Sequence, residues 1–540
     1  MGNEFKLGDV VLDLSHYSGK DYYSDGEIES RLLKLCMENP SGEYGELIER
    51  SADWPIFYHL SHLRANVVEW LPIREGDRVL EVGSGCGALT GTLARKAGSV
   101  DCIELSKKRS EINGVRNNTY GNVRIHVGNF EDIEPELPGD YQWILLIGVL
   151  EYAGGFLSGE NPYLAMLSLL RGHLASGGRL VVAIENRLGL KYLAGCREDH
   201  LGTFFSGVEG YPGEKNVRTF SRRALASLLN RAGFAQQHWY YPYPDYKIAI
   251  DIFSDSFLPG AEELQDNVWN MDRERLLLFN EKNASRALLE DGMYQDFANS
   301  FLVVTGPSPE QVYIRYSNDR APEFQIRTEV VRDSRGGLFV RKSPLREEAQ
   351  AHVLGMADSY AALKERYAAS KLHVCECFPQ GDSVAFPFVQ GISLSALFDQ
   401  LLEKEDLEGF GKLFADYIRI IGTQEEYPVS DYDMAFSNIL VEQDQWTLID
   451  YEWTYGQQIP ASHLAYRALR DYLLSDRKRK KVPVDALMKA LGIDKETAAQ
   501  LVSEEAEFQK YVTGGRLSLV ELREKIGKRV RVPAELEKEG

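Results

Sequence analysis

The chain has 540 residues, too many for one hydrophobic core, and its 44% hydrophobic and 26% charged residues match an ordinary globular protein of two to four domains at roughly 150 residues each. With 61 Lys and Arg against 81 Asp and Glu the formal charge is −20, which argues against nucleic acid as a partner because an acidic surface repels phosphate. The six cysteines are scattered, and Cys375 and Cys377 have no companion cluster, so neither a disulfide framework nor a zinc site is expected.

The N-terminal "MGNEFKLGDVVLDLSHYSG" lacks the basic start and apolar centre of a signal peptide. The most apolar run, "WILLIGVL" at 143–150, is far short of a membrane span. These features predict a cytoplasmic protein, with at most a peripheral association at the inner face of the plasma membrane.

In chain order, residues 1–50 read as an N-terminal helical extension. From 25 to 72, apolar residues fall three and four apart, as on one helix face. The runs "RVLEVG", "VDCIEL", "VRIHVG", "WILLIGV" and "RLVVAIE" then alternate with helical segments. That alternation predicts an α/β domain over 51–262, an open parallel sheet with its ligand at the carboxyl ends of the strands.

The first of these strands runs into Gly83, Ser84, Gly85, Cys86 and Gly87 before a helix. Glycines there let the backbone turn sharply and approach a ligand at the helix start. The second strand ends in Glu104, where a carboxylate can accept hydrogen bonds from ribose hydroxyls. Turn, strand and acid together describe an adenosine-type cofactor site, which a nicotinamide dinucleotide or S-adenosylmethionine would satisfy equally.

The ordered set "LEVGSGCGALT", "IELS", "GNFEDI" and "LLIGVLEY" resembles the motifs of class I, Rossmann-like S-adenosylmethionine-dependent methyltransferases over about residues 50–260. The resemblance implies S-adenosylmethionine as cofactor. It places Glu81, Gly83, Ser84, Gly85 and Gly87 around the methionine part, Glu104 on the ribose, and Asn129 and Phe130 beside the adenine. After the fifth strand, residues 183–213 are dense in glycine, charge and aromatics without periodicity, as in a loop over a site. For a sugar-hydroxyl acceptor, His200 or Asp199 would serve as catalytic base. For a phosphate oxygen, Arg187, Arg197 or Lys247 would orient the anion instead.

Residues 263–308 read as a helical connection into a new strand, and 309–476 as a second domain. The order of its parts resembles the two-lobed α+β fold of protein kinases and aminoglycoside phosphotransferases. On that resemblance Lys342 grips nucleotide phosphates, with Glu347 or Glu348 as its ion-pair partner, and Phe388 and Val389 lie at the adenine hinge of Pro387–Val389. Asp433 orients the acceptor hydroxyl, and Asn438 with Asp450 holds Mg2+. ATP and Mg2+ are thus the implied ligands of this half. Asp431 stands where such loops usually carry histidine, and "SNDRAPEFQ" replaces a glycine-rich loop. Two readings therefore stay open, an active kinase or a pseudokinase that docks a glycosyltransferase partner.

The last segment, 477–540, reads as a basic linker and short helical tail. Its "RKRKK" at 477–481 is expected to be a solvated stretch or a contact for an anionic surface. The pairing of the two domains resembles bifunctional methyltransferase-kinase proteins of bacterial O-antigen and cell-surface polysaccharide synthesis. It implies a saccharide or glycan acceptor, lipid-linked or bearing a phosphorylated end.

Overall fold

Runs of Val, Ile and Leu bounded by turn residues build the central sheet of the first half, as expected for strands buried on both faces. The computed structural model describes residues 4–21, 26–260, 263–264 and 272–532. They fall into two units, 1–315 with 517–540, and 316–516.

The first unit holds β1 (Glu4–Leu7), β2 (Val10–Asp13), β3 (Arg78–Val82), β4 (Ser99–Glu104), β5 (Val123–Val127), β6 (Tyr141–Ile147), β7 (Leu174–Glu185), β8 (Gln237–Tyr243), β9 (Asp251–Ser254), β10 (Arg275–Leu276), β11 (Ser300–Thr305) and β12 (Gln311–Ser317). Their order in the sheet is β1-β2-β5-β4-β3-β6-β7-β11-β8-β9-β12, with β10 apart in a two-stranded pair. The five strands from β3 to β7 run parallel. Chain order reverses at β3, which has β4 on one side and β6 on the other, and this opens a crevice at the strands' carboxyl ends. Antiparallel β11 is wedged between β7 and β8. That strand separates this sheet from the all-parallel dinucleotide-binding arrangement.

Three expectations need correction. The N-terminal segment is not wholly helical, because "FKLGDVVLD" folds as the β1–β2 hairpin around a two-residue turn with Gly8 at φ 62°. β2 then joins the sheet beside β5. The stretch 263–308 carries helices Glu281–Glu290 and Tyr294–Phe297 and ends in the expected strand, but that strand, β11, is fully buried in the first unit's own sheet rather than opening the second domain. The tail divides. Helix Lys495–Thr513 lies in the second unit, while helix Leu519–Ile526 packs through Leu519, Leu522 and Ile526 onto Leu32, Cys36 and Ile56 of the first. Residues 265–271 of the expected connection and 533–540 of the tail lie outside the described residues.

The second unit places Ile326–Arg332, Leu338–Pro344, Ser383–Pro387 and Phe378–Gln380 in one antiparallel sheet, with helix Gln350–Arg366 following the second of these. Helices Leu394–Glu403, Leu407–Ile421 and Ala461–Ser475 pack around the Ile439–Glu442 and Gln445–Leu448 hairpin, with Phe398, Phe414, Phe436 and Tyr472 in the core. The basic run is not all solvated. Arg479 is buried, paired with Asp399 at 2.7 Å and stacked on Tyr472. Among the described residues no helix is long and apolar enough to cross a membrane.

Candidate functional site

The β3 strand delivers the chain into the glycine turn, and the turn borders a cavity of about 730 Å³, within the usual range for small-molecule sites. Gly85 sits in the left-handed region at φ 52°, and a Cβ there would meet nothing within 4 Å. The turn is thus bare backbone facing open space, the shape a ligand's approach requires. Gly85 N–H donates to Glu104 Oε2 at 2.8 Å, and Ser106 N–H donates to Oε1 at 2.9 Å. Each Glu104 oxygen keeps a further lone pair for a hydroxyl donor. Burial pushes this carboxyl above its ordinary pKa.

Glu81, Gly83, Ser84, Asn129 and Phe130 line the same cavity. Glu81 is buried, accepts a hydrogen bond from the Thr90 hydroxyl at 2.6 Å and is pushed up to about 7 by burial. The Ser84 hydroxyl is buried without a partner. Gly87 is the exception. It does not line the cavity, and a side chain there would collide with Asn113 and Asn117, so its bareness serves packing against helix Lys107–Arg116. The remaining residues fit S-adenosylmethionine, with Glu104 for the ribose, Phe130 as an apolar wall, and Gly85 and the orphaned Ser84 hydroxyl at the turn.

The opposite wall is charged. Lys191 Nζ pairs with Asp199 at 2.9 Å and Asp245 at 3.4 Å. Lys247 Nζ pairs with Asp199 at 2.8 Å and also with Glu185. Burial alone would raise Asp199, but Lys191 and Lys247 hold it well below the usual carboxylate range. This corrects the expectation for Asp199, since a carboxylate so firmly ionised is a poor proton acceptor. His200 lines the cavity as expected, yet Glu185 at 3.4 Å overrides the effect of burial and raises the imidazole to about 9. The pair with Glu185 favours the protonated imidazole, which disfavours His200 as a base. Lys247 and Arg197 line the cavity, whereas Arg187 does not and instead donates to the Gly207 carbonyl at 3.5 Å.

Residues 58–133 match the family model described as Protein-L-isoaspartate(D-aspartate) O-methyltransferase. The first unit holds a class I, Rossmann-like methyltransferase domain. Protein-L-isoaspartate O-methyltransferase 2 of Archaeoglobus fulgidus is 39% identical over 87 residues, 15% of this chain and 39% of that protein. The protein-L-isoaspartate O-methyltransferase of Methylorubrum populi is 33% identical over 125 residues, 23% of this chain and 52% of that one. The chain thus spans about half or less of the length of these curated relatives. A solved S-adenosylmethionine-dependent methyltransferase from Archaeoglobus fulgidus is similar over 45% of this chain and 93% of that one, at 12% identity and a TM-score of 0.29, too low a likeness to bear on function.

The cavity is also lined by residues that sequence reasoning missed. Glu151 lies four residues beyond the end of β6, and Glu185 is the last residue of β7. Both line the cavity with Lys191. The available signal was position, because carboxyl ends of parallel strands line the ligand crevice.

In the second unit Lys342 is buried and bonds to Asp450, while Glu348 is exposed. The expected Lys342–Glu348 pair is therefore replaced by Lys342–Asp450, since Glu348 lies in the exposed turn Glu347–Ala349 ahead of the helix. Phe388 and Val389 directly follow the strand Ser383–Pro387. Asp433 Oδ1 accepts from Arg467 at 2.8 Å and Oδ2 from Asn438 Nδ2 at 3.0 Å. Both of its oxygens are engaged, so an acceptor hydroxyl would have to share one of them. Asp431 is buried behind it, and burial together with the Asp433 charge raises its carboxyl well above the usual range.

Proposed function

We propose that the first unit transfers a methyl group from S-adenosylmethionine to an oxygen of a saccharide or of its phosphorylated end. The observation that carries the donor half is the bare turn at Gly85, bonded to Glu104 and open to the cavity. The donor supplies an electrophilic methyl group on a sulfonium. Glu104 holds its ribose, and the buried walls at Phe130 and Leu157 keep water from the reacting atoms. The acceptor enters against the charged wall, where Arg197 and the lysine pair favour an oxygen-rich, anionic group. Because Asp199 is a committed counter-ion, alignment rather than proton removal by that residue is the wall's contribution.

The family model and the two relatives named above are isoaspartate methyltransferases by name, but the family model's match stops at Ile133, before Glu151, Glu185 and the 183–213 loop. It spans the donor half and leaves the acceptor to this chain's own residues. The test is transfer of labelled methyl from the donor by the full chain to lipid-linked glycans, with and without phosphorylated ends, beside an isoaspartyl peptide. Label on a glycan is the expected result. Label on the peptide alone would overturn the saccharide reading, and failure to bind the donor would overturn methyl transfer itself.

The second unit is a nucleotide-binding unit in this reading, with Lys342 and Asp450 turning from each other to phosphate and Mg2+. The engaged Asp433 favours the docking role over phosphoryl transfer. Calorimetric titration with ATP and Mg2+ is expected to show one site, weakened at least about tenfold in Asp450→Ala by loss of a charged contact worth about 1.5–3 kcal/mol. Equal affinity in the variant would remove Asp450 from the site.

A further inference from the structure

The deepest part of the charged wall holds a cluster to which the methyl-transfer reading gives no task. Glu151, Glu185 and His200 each offer one ligand atom, and the three atoms lie within 4.8 Å of one another. Glu151 is fully buried, and neither of its oxygens has a hydrogen-bond partner. Glu185 Oε2 and His200 Nε2 face each other at 3.4 Å and are likewise without a hydrogen bond. Two buried carboxylate oxygens with no partner, beside a third and an imidazole nitrogen that meet only each other at 3.4 Å, are outside ordinary practice, in which buried polar groups find hydrogen bonds.

The other atoms of the cluster are fixed. Glu185 Oε1 accepts from Lys247 Nζ and from the Tyr246 hydroxyl at 3.2 Å. His200 Nδ1 shares a hydrogen bond with the Tyr152 hydroxyl at 2.9 Å, and the Tyr152 ring packs edge-on against the imidazole. A hydrogen bond at one ring nitrogen that aims the other at a pair of carboxylates is how histidine ligands are held.

The geometry points to a divalent-cation site formed by Glu151, Glu185 and His200. Two carboxylate oxygens and one imidazole nitrogen, without thiolate, suit a first-row ion such as Mn2+ better than Mg2+, which favours oxygen throughout. The three residues line the cavity shared with Gly85 and Glu104, so the ion's remaining positions face the acceptor space. The acceptor class this selects is one that presents a hydroxyl, carboxylate or phosphate oxygen to the ion, a statement that rests on the methyl-transfer reading, whereas the cation site itself does not.

The test uses the full chain stripped with chelator, in an Asp450→Ala background so that the second unit's acidic residues do not contribute. Mn2+ titration followed by loss of the free-ion paramagnetic resonance signal is expected to show one site per chain. Glu151→Gln should weaken it on the order of 100-fold. Binding of S-adenosylhomocysteine to the same variant reports whether the domain is folded. Should that variant fail to fold, pulsed resonance on the parent decides, because bound Mn2+ must show coupling to an imidazole nitrogen that His200→Gln removes.

No Mn2+ binding, equal binding in a folded Glu151→Gln, or absence of nitrogen coupling would each overturn the site. So would protection of the parent by an alkylammonium ion in place of Mn2+, which would assign the cluster to a cationic acceptor. Mn2+ bound with nitrogen coupling but no donor bound would uphold the cation site and sink the methyl-transfer reading, so the two failures are distinct.

Discussion

Gly85→Val is expected to abolish binding of S-adenosylmethionine and S-adenosylhomocysteine while leaving nucleotide binding by the second unit unchanged. The Cβ would enter space free of protein atoms, so the fold can accept its volume. The cost to the fold is mainly conformational, because φ 52° is unfavourable for a branched L-residue by about 1–2 kcal/mol. The cost to the ligand is larger, since the valine methyls would occupy the donor's approach beside Glu104. Calorimetry with S-adenosylhomocysteine, alongside urea unfolding, separates the two effects. Unchanged affinity in a folded variant would show that the cavity takes some other molecule.

The donor half of the site was legible because its determinants are local. Glycines 83–87, the strand before them and Glu104 at the end of the next strand lie within 27 residues, and their spacing alone implies turn, crossover and acid. The acceptor half was legible only as a region. Asp199 and His200 were recognisable as polar residues in an irregular loop, but their surroundings are set by Lys247 and Glu185, which reach them from the turn Tyr246–Ile248 and from the end of β7. Ion pairing across such separations inverts the chemistry a residue type suggests, turning an expected base into a fixed anion. The same limit hid Lys342–Asp450, whose partners are 108 residues apart. The sheet to which β11 belongs is hidden for a related reason. Its apolar run announces a buried strand, but nothing local says that its partners, Glu185 to Val181 of β7, lie more than a hundred residues upstream. The N-terminal hairpin escaped notice because four-residue strands carry too little alternation to outweigh the helical pattern that follows.

The charged wall can be tested for its own energetics, apart from any ligand. Lys247→Met is expected to destabilise the first unit by about 3–5 kcal/mol, read as an earlier urea transition in the presence of chelator. Glu185 has no exposed side-chain surface, and without the ammonium its Oε1 keeps only the Tyr246 hydroxyl and its Oε2 only the His200 ring at 3.4 Å, while Asp199 retains Lys191. The loss comes from stranding a buried carboxylate rather than from the attraction of the pair, so removing both charges should be far milder than removing one. The double variant Lys247→Met with Glu185→Gln is accordingly expected to regain most of the lost stability. If the double variant is as unstable as the single one, the lysine's contribution is packing of its methylene stem and not compensation of charge. If the single variant unfolds with the parent, solvent already screens the network, and the buried wall on which the acceptor reading depends is not a low-dielectric site.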